Sequence, residues 1–293
     1  MDFALDPTAA AVRDVADEAI RRLQPDWESK FADGFGGFDN AAWDALVASG
    51  VTVLALPESL GGDDLPIDAL VPLLMRAGQD AVVAPLVGTL TSALLLAKAP
   101  NAAAHGRSIA DGGWHAVAIG ERGSALGDQP TLTLTDTADG ARLDGVKTGV
   151  LAADGAASIV VVADRGVVIV PAAAAGVSIT RTTSSSGQGE YRVVFDGVAV
   201  PASDILSDSP QPAIDIYRAL LAAYADGLVA GAIKRTAEHV STRHQFGKPI
   251  AAFQAVGQQL ADVYVVSRTM NLIATAAAWD IANDADAEED LAT

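Results

Sequence analysis

The sequence predicts an α+β fold in three consecutive parts: a helical beginning, an antiparallel β middle and a helical end. Three textures predict it. Residues 8 to 24 and 40 to 100 repeat their apolar side chains at the helical period. Between Trp114 and Ile205 the chain breaks into short Val/Ile/Thr runs bounded by Gly and Asp. From Pro212 the helical period returns over two long stretches. The expected divisions are an all-α domain over 1–110, a β-sandwich or barrel-like domain over 111–207 and a helical domain over 208–293.

The first helix is expected to bury one face carrying Val12, Val15, Ala16, Ala19, Ile20 and Leu23, with charges opposite. In the β part, HAVAIG, PTLTLTD, SIVVVAD, GVVIVPA and YRVVFDGVAV read as strands. The two closing helices are expected to join at the FGKP turn, Gly247 capping one and Pro249 starting the next. Their apolar stripes, Leu220, Leu221, Tyr224, Leu228 and Gly231 on one and Val256, Leu260, Val263, Ser267 and Met270 on the other, are wider than a single neighbour covers and predict an interface. The acidic ending NDADAEEDLAT is expected to fray.

Composition narrows the function classes. Half of the 293 residues are hydrophobic, yet no apolar run reaches the roughly 18 to 20 residues of a membrane span. The opening MDFALDPTAAAVRDVADEA lacks the basic and apolar regions of a secretory signal, and there is no cysteine for disulfides or thiolate metal sites. The expected location is therefore the cytoplasm. A net charge of −18 opposes binding to nucleic acid or anionic lipid, so any anionic ligand needs a local basic patch.

Three motifs carry a resemblance. R243-x-x-F246-G247-K-P-I-x-x-F253-Q254 with Leu260-Ala261-Asp262, W43-x-x-L46-x-x-x-G50 with L56-P57-E58-x-x-G61-G62, and VVFDGVAVPASDIL over 193–206 together resemble the acyl-CoA dehydrogenase family over almost the whole chain. Within it, AYADGLVAGAIK and VYVVSRTMNLIA are similar to the short, non-catalytic-type subunits of actinobacterial heteromeric enzymes that dehydrogenate steroid side-chain CoA thioesters.

The resemblance implies a FAD cofactor shared at a subunit interface, with Arg243 on its pyrophosphate, where a guanidinium supplies charge-assisted and bidentate hydrogen bonds. It further implies that Phe246 packs on the cofactor and that Gln254 hydrogen-bonds it, with Gln245 and Gly247 completing the cofactor-binding turn. The competing structural explanation is that Arg243 compensates the negative end of its helix while Phe246 is core. The implied partners are a catalytic acyl-CoA dehydrogenase subunit in an α2β2 assembly, an acyl-CoA substrate and electron-transfer flavoprotein as acceptor.

Dehydrogenation needs a carboxylate to take the α-proton while flavin accepts the β-hydride. The resemblance implies a glutamate, in one branch of the family, directly before an arginine near the start of the helix that leads to R-x-x-F-G, and here that slot reads Tyr217-Arg218. Asp215 lies about 200° around the helix from it. The other branch's glutamate belongs to a region downstream of Thr293, which leaves the C-terminal domain incomplete relative to the family.

The family's T-E-P-x-x-G-S-D loop reads Gly120-Glu121-Arg122-Gly123-Ser124-Ala125-Leu126-Gly127, and its K-x-W-I-T-N strand reads Lys147-Thr148-Gly149-Val150-Leu151-Ala152. Glycine has no face to stack on flavin, and leucine no group to hydrogen-bond it. The expectation is a subunit that completes its partner's FAD site without a catalytic residue of its own. The alternatives are a non-enzymatic acyl-CoA-binding relative and a fragment of a conventional enzyme.

No metal site is expected. His105, His115, His239 and His244 lack ligand spacing and read as solvated or capping groups, Gly34-x-Gly36-Gly37 reads as a plain loop, and Ser184 to Ser186 read as a surface turn.

Overall fold

The computed structural model describes residues 6–23, 37–285, 287 and 291. Among the described residues five α-helices come first: α1 (Pro7–Arg21), α2 (Asn40–Ala48), α3 (Ile67–Gln79), α4 (Leu86–Ala97) and α5 (Ala103–Ala110). Aspartates start two of them, Asp6 accepting from the Ala9 N–H at 2.8 Å and Asp39 from that of Ala42 at 3.3 Å. On α1, Ala9, Val12, Ala16, Ala19 and Ile20 are buried. Val15 is a correction: it is exposed, because it sits at the edge of that stripe.

Two four-stranded sheets follow. One has the order β1 (His115–Ala118), β4 (Ser158–Ala163), β5 (Gly166–Pro171), β8 (Ile205–Ser207); the other runs β2 (Thr133–Thr137), β3 (Gly140–Leu151), β7 (Glu190–Pro201), β6 (Val177–Thr182). Their ladders are antiparallel with one correction to the expected pattern, since β1 runs parallel to β4. The first sheet is buried on both faces. Val160, Val162, Val167 and Ile169 face the helices, while Ile159, Val161, Val168 and Val170 face the second sheet. That double burial is why SIVVVA and GVVIV read as unbroken apolar runs, whereas β7 alternates buried and solvent-facing residues.

Two long helices close the described chain, α6 (Gln211–Thr242) and α7 (Gln254–Ala282). By length and apolar composition α6 could cross a membrane, which the count of unbroken apolar residues did not foresee. It packs instead against α3, α4 and α7 in the helical core. A Cβ added at Gly227 would stand 2.1 Å from the Met75 carbonyl oxygen, and one at Gly78 2.1 Å from that of Tyr224. The two backbones therefore touch, and only glycine fits. Gly227→Ala should cost about 2 kcal/mol net, a steric loss of roughly 3 less the ~1 that alanine contributes in a helix. Gly257→Ala, with nothing within 4 Å, should stabilise. Urea midpoints of the two variants moving in opposite directions check this.

The link between α6 and α7 also departs from expectation. Arg243, not Gly247, is the C-cap of α6, its N–H donating to the His239 carbonyl at 2.9 Å. The chain then forms a two-stranded hairpin, β9 (His244–Gln245) and β10 (Lys248–Pro249), around Phe246 (φ 51°) and Gly247 (φ 78°). Two successive positive φ values make a type I′ turn, which selects glycine at its second position. Pro249 precedes a single 3-10 turn, Ile250–Ala252, and α7 begins only at Gln254.

Candidate functional site

Arg243, Gln245, Phe246 and Gly247 lie in or beside the hairpin and Gln254 opens α7, all exposed. The Phe246 ring is 92% exposed and meets Phe253 edge-on with centroids 6.2 Å apart, and the Lys248 ammonium lies 4.3 Å from the centre of the Phe253 ring. Among the described residues the Arg243 guanidinium has no hydrogen-bond or ion-pair partner. Its backbone is fixed from both sides, because its carbonyl accepts from the Ile250 N–H at 2.9 Å. A rigid base with a free planar cation is a geometry suited to a phosphate supplied from outside the chain.

A second place lies where α4, β1, β3 and α6 meet. There a cleft of about 240 Å³ is lined by residues 82–88, which lead into α4, and by His115, Val117, Leu151, Gln188, Tyr217, Leu221, Tyr224 and Leu228. No carboxylate is among its described lining residues. Burial pushes the Tyr217 phenol up, and pushes that of Tyr224 up to about 12, where it donates to the Val82 carbonyl at 2.9 Å. Asp215 is not part of this lining and accepts from Gln211 Nε2 at 2.7 Å.

His115 is fully buried there, correcting the expectation of a solvated histidine. Its Nδ1 lies 2.6 Å from Ser92 Oγ and its Nε2 2.7 Å from Ser108 Oγ, which ties β1 to α4 and α5. Burial, with His105 nearby, brings the imidazole down to about 3, so it stays neutral at pH 7. His105 is also enclosed, against Ser158 Oγ at 2.8 Å and Asp204 Oδ2 at 3.3 Å. His239 and His244 are exposed, and no His/Asp/Glu cluster among the described residues could hold a metal.

The third place is the junction of the loop after β1 with β3. Lys147, fully buried, donates to Glu121 at 2.7 Å and to the Ile119 carbonyl at 2.9 Å, while the Thr148 N–H donates to the Gly120 carbonyl at 2.8 Å. Burial alone would raise the Glu121 carboxyl, but hydrogen bonds from Lys147, Thr131 and Leu132 outweigh it and bring it down to about 2. Burial pulls the Lys147 ammonium below its ordinary value, with Glu121 opposing. The pair is therefore a buried ion pair that clasps the loop to β3. Beyond it the register of β3 slips between Lys147 and Val150, the mark of a bulge. Gly149 sits in the bulge with φ 68° and open space where a side chain would be, and Leu151 turns toward the cleft. Ser184 and Ser186 form the expected turn, their hydroxyls 2.8 Å apart.

The Arg243–Gly247 motif was legible in the sequence, though not its hairpin geometry. The cleft's histidine, its two shielded tyrosines and the Glu121–Lys147 clasp were not, because each depends on partners far away in the chain.

Known proteins resemble this chain in sequence and fold. The family model described as "Acyl-CoA dehydrogenase, C-terminal domain" matches residues 209–293. Acyl-CoA dehydrogenase FadE28 of Mycobacterium tuberculosis is 40% identical over 298 residues, spanning 99% of this chain and 81% of FadE28. Among solved structures, the ChsE4-ChsE5 complex from Mycobacterium tuberculosis matches with TM-score 0.85 and 27% identity, covering 100% of this chain and 82% of that one. A variant of the Tcur3481-Tcur3483 steroid ACAD matches with TM-score 0.85 and 29% identity over 94% of this chain and 78% of its counterpart.

Proposed function

The chain belongs to the acyl-CoA dehydrogenase family, whose cofactor is FAD, and from that premise we propose that it is the cofactor-completing, base-free subunit of a heteromeric acyl-CoA dehydrogenase. The observation that carries the proposal is a pairing: a cleft with no carboxylate among its described lining residues, and an exposed Arg243 beside the hairpin with no hydrogen-bond or ion-pair partner among the described residues. The residues present fit one half of a FAD site. Arg243 would hold the pyrophosphate of a cofactor seated in the partner, Phe246 would cover its flank, and the Gln245 and Gln254 amides together with the Gly247 turn would complete the contact. They do not fit the ring-facing half, since Gly149 offers no stacking face and Leu151 no hydrogen bond.

When bound, FAD supplies the acceptor for the β-hydride of the substrate. The α-proton needs a base, and among the described residues that line this cleft there is no carboxylate, burial raises both phenols and the His115 nitrogens are engaged by serines. The base is therefore assigned to the catalytic partner of an α2β2 assembly. The solved complexes ChsE4-ChsE5 and Tcur3481-Tcur3483 support a two-subunit enzyme, and the steroid named for the latter supports a bulky steroid side-chain acyl-CoA as substrate. Electron-transfer flavoprotein is the acceptor consistent with this chemistry.

Purified alone, the chain should carry little flavin and reduce no acceptor with any acyl-CoA; co-expressed with its catalytic partner it should yield a yellow, active complex. A homomeric preparation with full flavin and turnover would overturn the proposal.

A further inference from the structure

A second polar cavity, of about 360 Å³, opens where α1, α3, α6 and α7 meet. At about 100° per residue, Asp226 and Ala230 on its wall point roughly 180° from Tyr217 and Leu221 on the wall of the cleft, so it lies on the opposite face of α6. Most of its charges are matched. Arg13 pairs with Asp14 at 3.0 Å, Arg76 with Asp17 and with Asp80 at 2.8 Å, and Asp68 accepts from the Ala69 N–H at 2.9 Å. Three groups are left over. Asp226, 4% exposed, accepts from Asn271 Nδ2 at 2.8 Å on Oδ2, while its Oδ1 has no hydrogen bond among the described residues. The Ser267 hydroxyl, on a residue 6% exposed, has no partner among them, nor has the exposed Arg268 guanidinium. Arg268 stands near enough for its charge to oppose the upward push of burial on the Asp226 carboxyl, yet the two form no ion pair.

A clamp between helices explains the Asn271–Asp226 bond, which reaches α3 through Met75 Sδ at 3.2 Å from the same amide nitrogen. It does not explain a carboxylate and a guanidinium that face one cavity without bridging it. Burying a carboxylate is costly unless a cation meets it, and a buried hydroxyl without a partner forfeits about 1 to 3 kcal/mol. We infer that this cavity binds a small zwitterion of the α-amino-acid type, its ammonium donating to Asp226 Oδ1 and Ser267 Oγ, its carboxylate on the Arg268 guanidinium, and its aliphatic side chain against Val71, Pro72 and Met75. A guanidinium takes a carboxylate through two parallel hydrogen bonds, and the ammonium supplies the counter-charge that Asp226 lacks. A simple amine would be repelled by Arg268 and a simple acid by Asp226, so only a ligand carrying both signs satisfies both walls. The volume suits a leucine-sized molecule and is far too small for an acyl-CoA. No described residue of this cavity belongs to the cleft or the hairpin, and the site is independent of the heteromeric reading.

Titration calorimetry on the full chain, together with its catalytic subunit where the two co-purify, tests this with L-leucine and two analogues: 4-methylpentanoate, which lacks the ammonium, and 3-methylbutylamine, which lacks the carboxylate. L-leucine should bind saturably, and each analogue at least roughly tenfold more weakly. Arg268→Gln and Asp226→Asn should each weaken leucine by a similar factor while leaving flavin content as in the wild type. Arg268 is exposed, so Arg268→Gln keeps the fold and decides the matter by itself if circular dichroism shows Asp226→Asn to be unfolded. No saturable binding of L-leucine, L-valine or L-methionine would overturn the inference and leave water as the occupant. Equal binding of the amine, or of the acid, would show a site for one charge and overturn it as well. Leucine bound equally by wild type and Arg268→Gln would place the ligand elsewhere, with the same consequence.

Discussion

Replacing Arg243 with alanine is expected to leave the chain folded and assembled but to strip its complex of flavin. Among the described residues the exposed guanidinium has no hydrogen-bond or ion-pair partner, so its loss removes no such contact. In the complex it removes a charge-assisted hydrogen bond worth about 1.5 to 3 kcal/mol and leaves a phosphate oxygen unpaired. That corresponds to flavin held roughly ten- to a hundredfold more weakly. Arg243→Lys should restore part of the affinity, because an ammonium supplies charge without the planar fork. If Arg243 only compensated the end of α6, alanine would cost under about 1 kcal/mol of helix stability and leave flavin content unchanged. Absorbance of gel-filtered wild type, Arg243→Ala and Arg243→Lys complexes separates the two cases.

The second large effect is the acid sensitivity of the fold. His115 is brought from an ordinary 6.5 down to about 3 by burial and by His105, and the neutral ring is held between Ser92 and Ser108. Below pH 6.5 the unfolded chain takes up a proton that the folded chain refuses, so stability falls as pH falls through the window from 6.5 toward 3. The loss should be about 2 kcal/mol at pH 5 and on the order of 4 near pH 3. Glu121, with its carboxyl down at about 2, adds a further loss below about pH 4.5, while Asp226, raised by burial, acts in the opposite sense and recovers part of it. His115→Gln should lower stability at pH 7 yet flatten the slope between pH 6.5 and 5. An equally steep acid limb in that variant would remove His115 as the cause.

What the sequence disclosed follows from which interactions are local. The Arg243–Gly247 turn could be read because its motif is contiguous, yet its geometry was misread, since an aromatic residue at positive φ gives no sequence signal and Gly247 looks the same as a helix cap. The long strand β3 was not among the runs read from Val/Ile/Thr content: glycines at 145 and 149 interrupt GARLDGVKTGVL where the strand shifts register. The burial of His115 on β1 carried no sequence signal, because Ser92 and Ser108 meet it from two separate helices. The stripes of the closing helices were legible only in part. Leu220, Gly231 and Ser267 are buried within the chain, while Leu228 and Val263 remain exposed as an interface would require. The acidic run Glu288 to Asp290 and the glycines Gly34 and Gly36 lie outside the described residues.

The central claim is that this chain lends its arginine to a cofactor whose ring sits in another subunit. The most direct measurement is a density map of the flavin-bearing complex. The account predicts the Arg243 guanidinium within hydrogen-bonding distance of the FAD pyrophosphate, the flavin ring enclosed by the partner, and no flavin over Gly149 and Leu151 of this chain. A flavin ring seated at Gly149 and Leu151, with Arg243 directed into solvent, would contradict it.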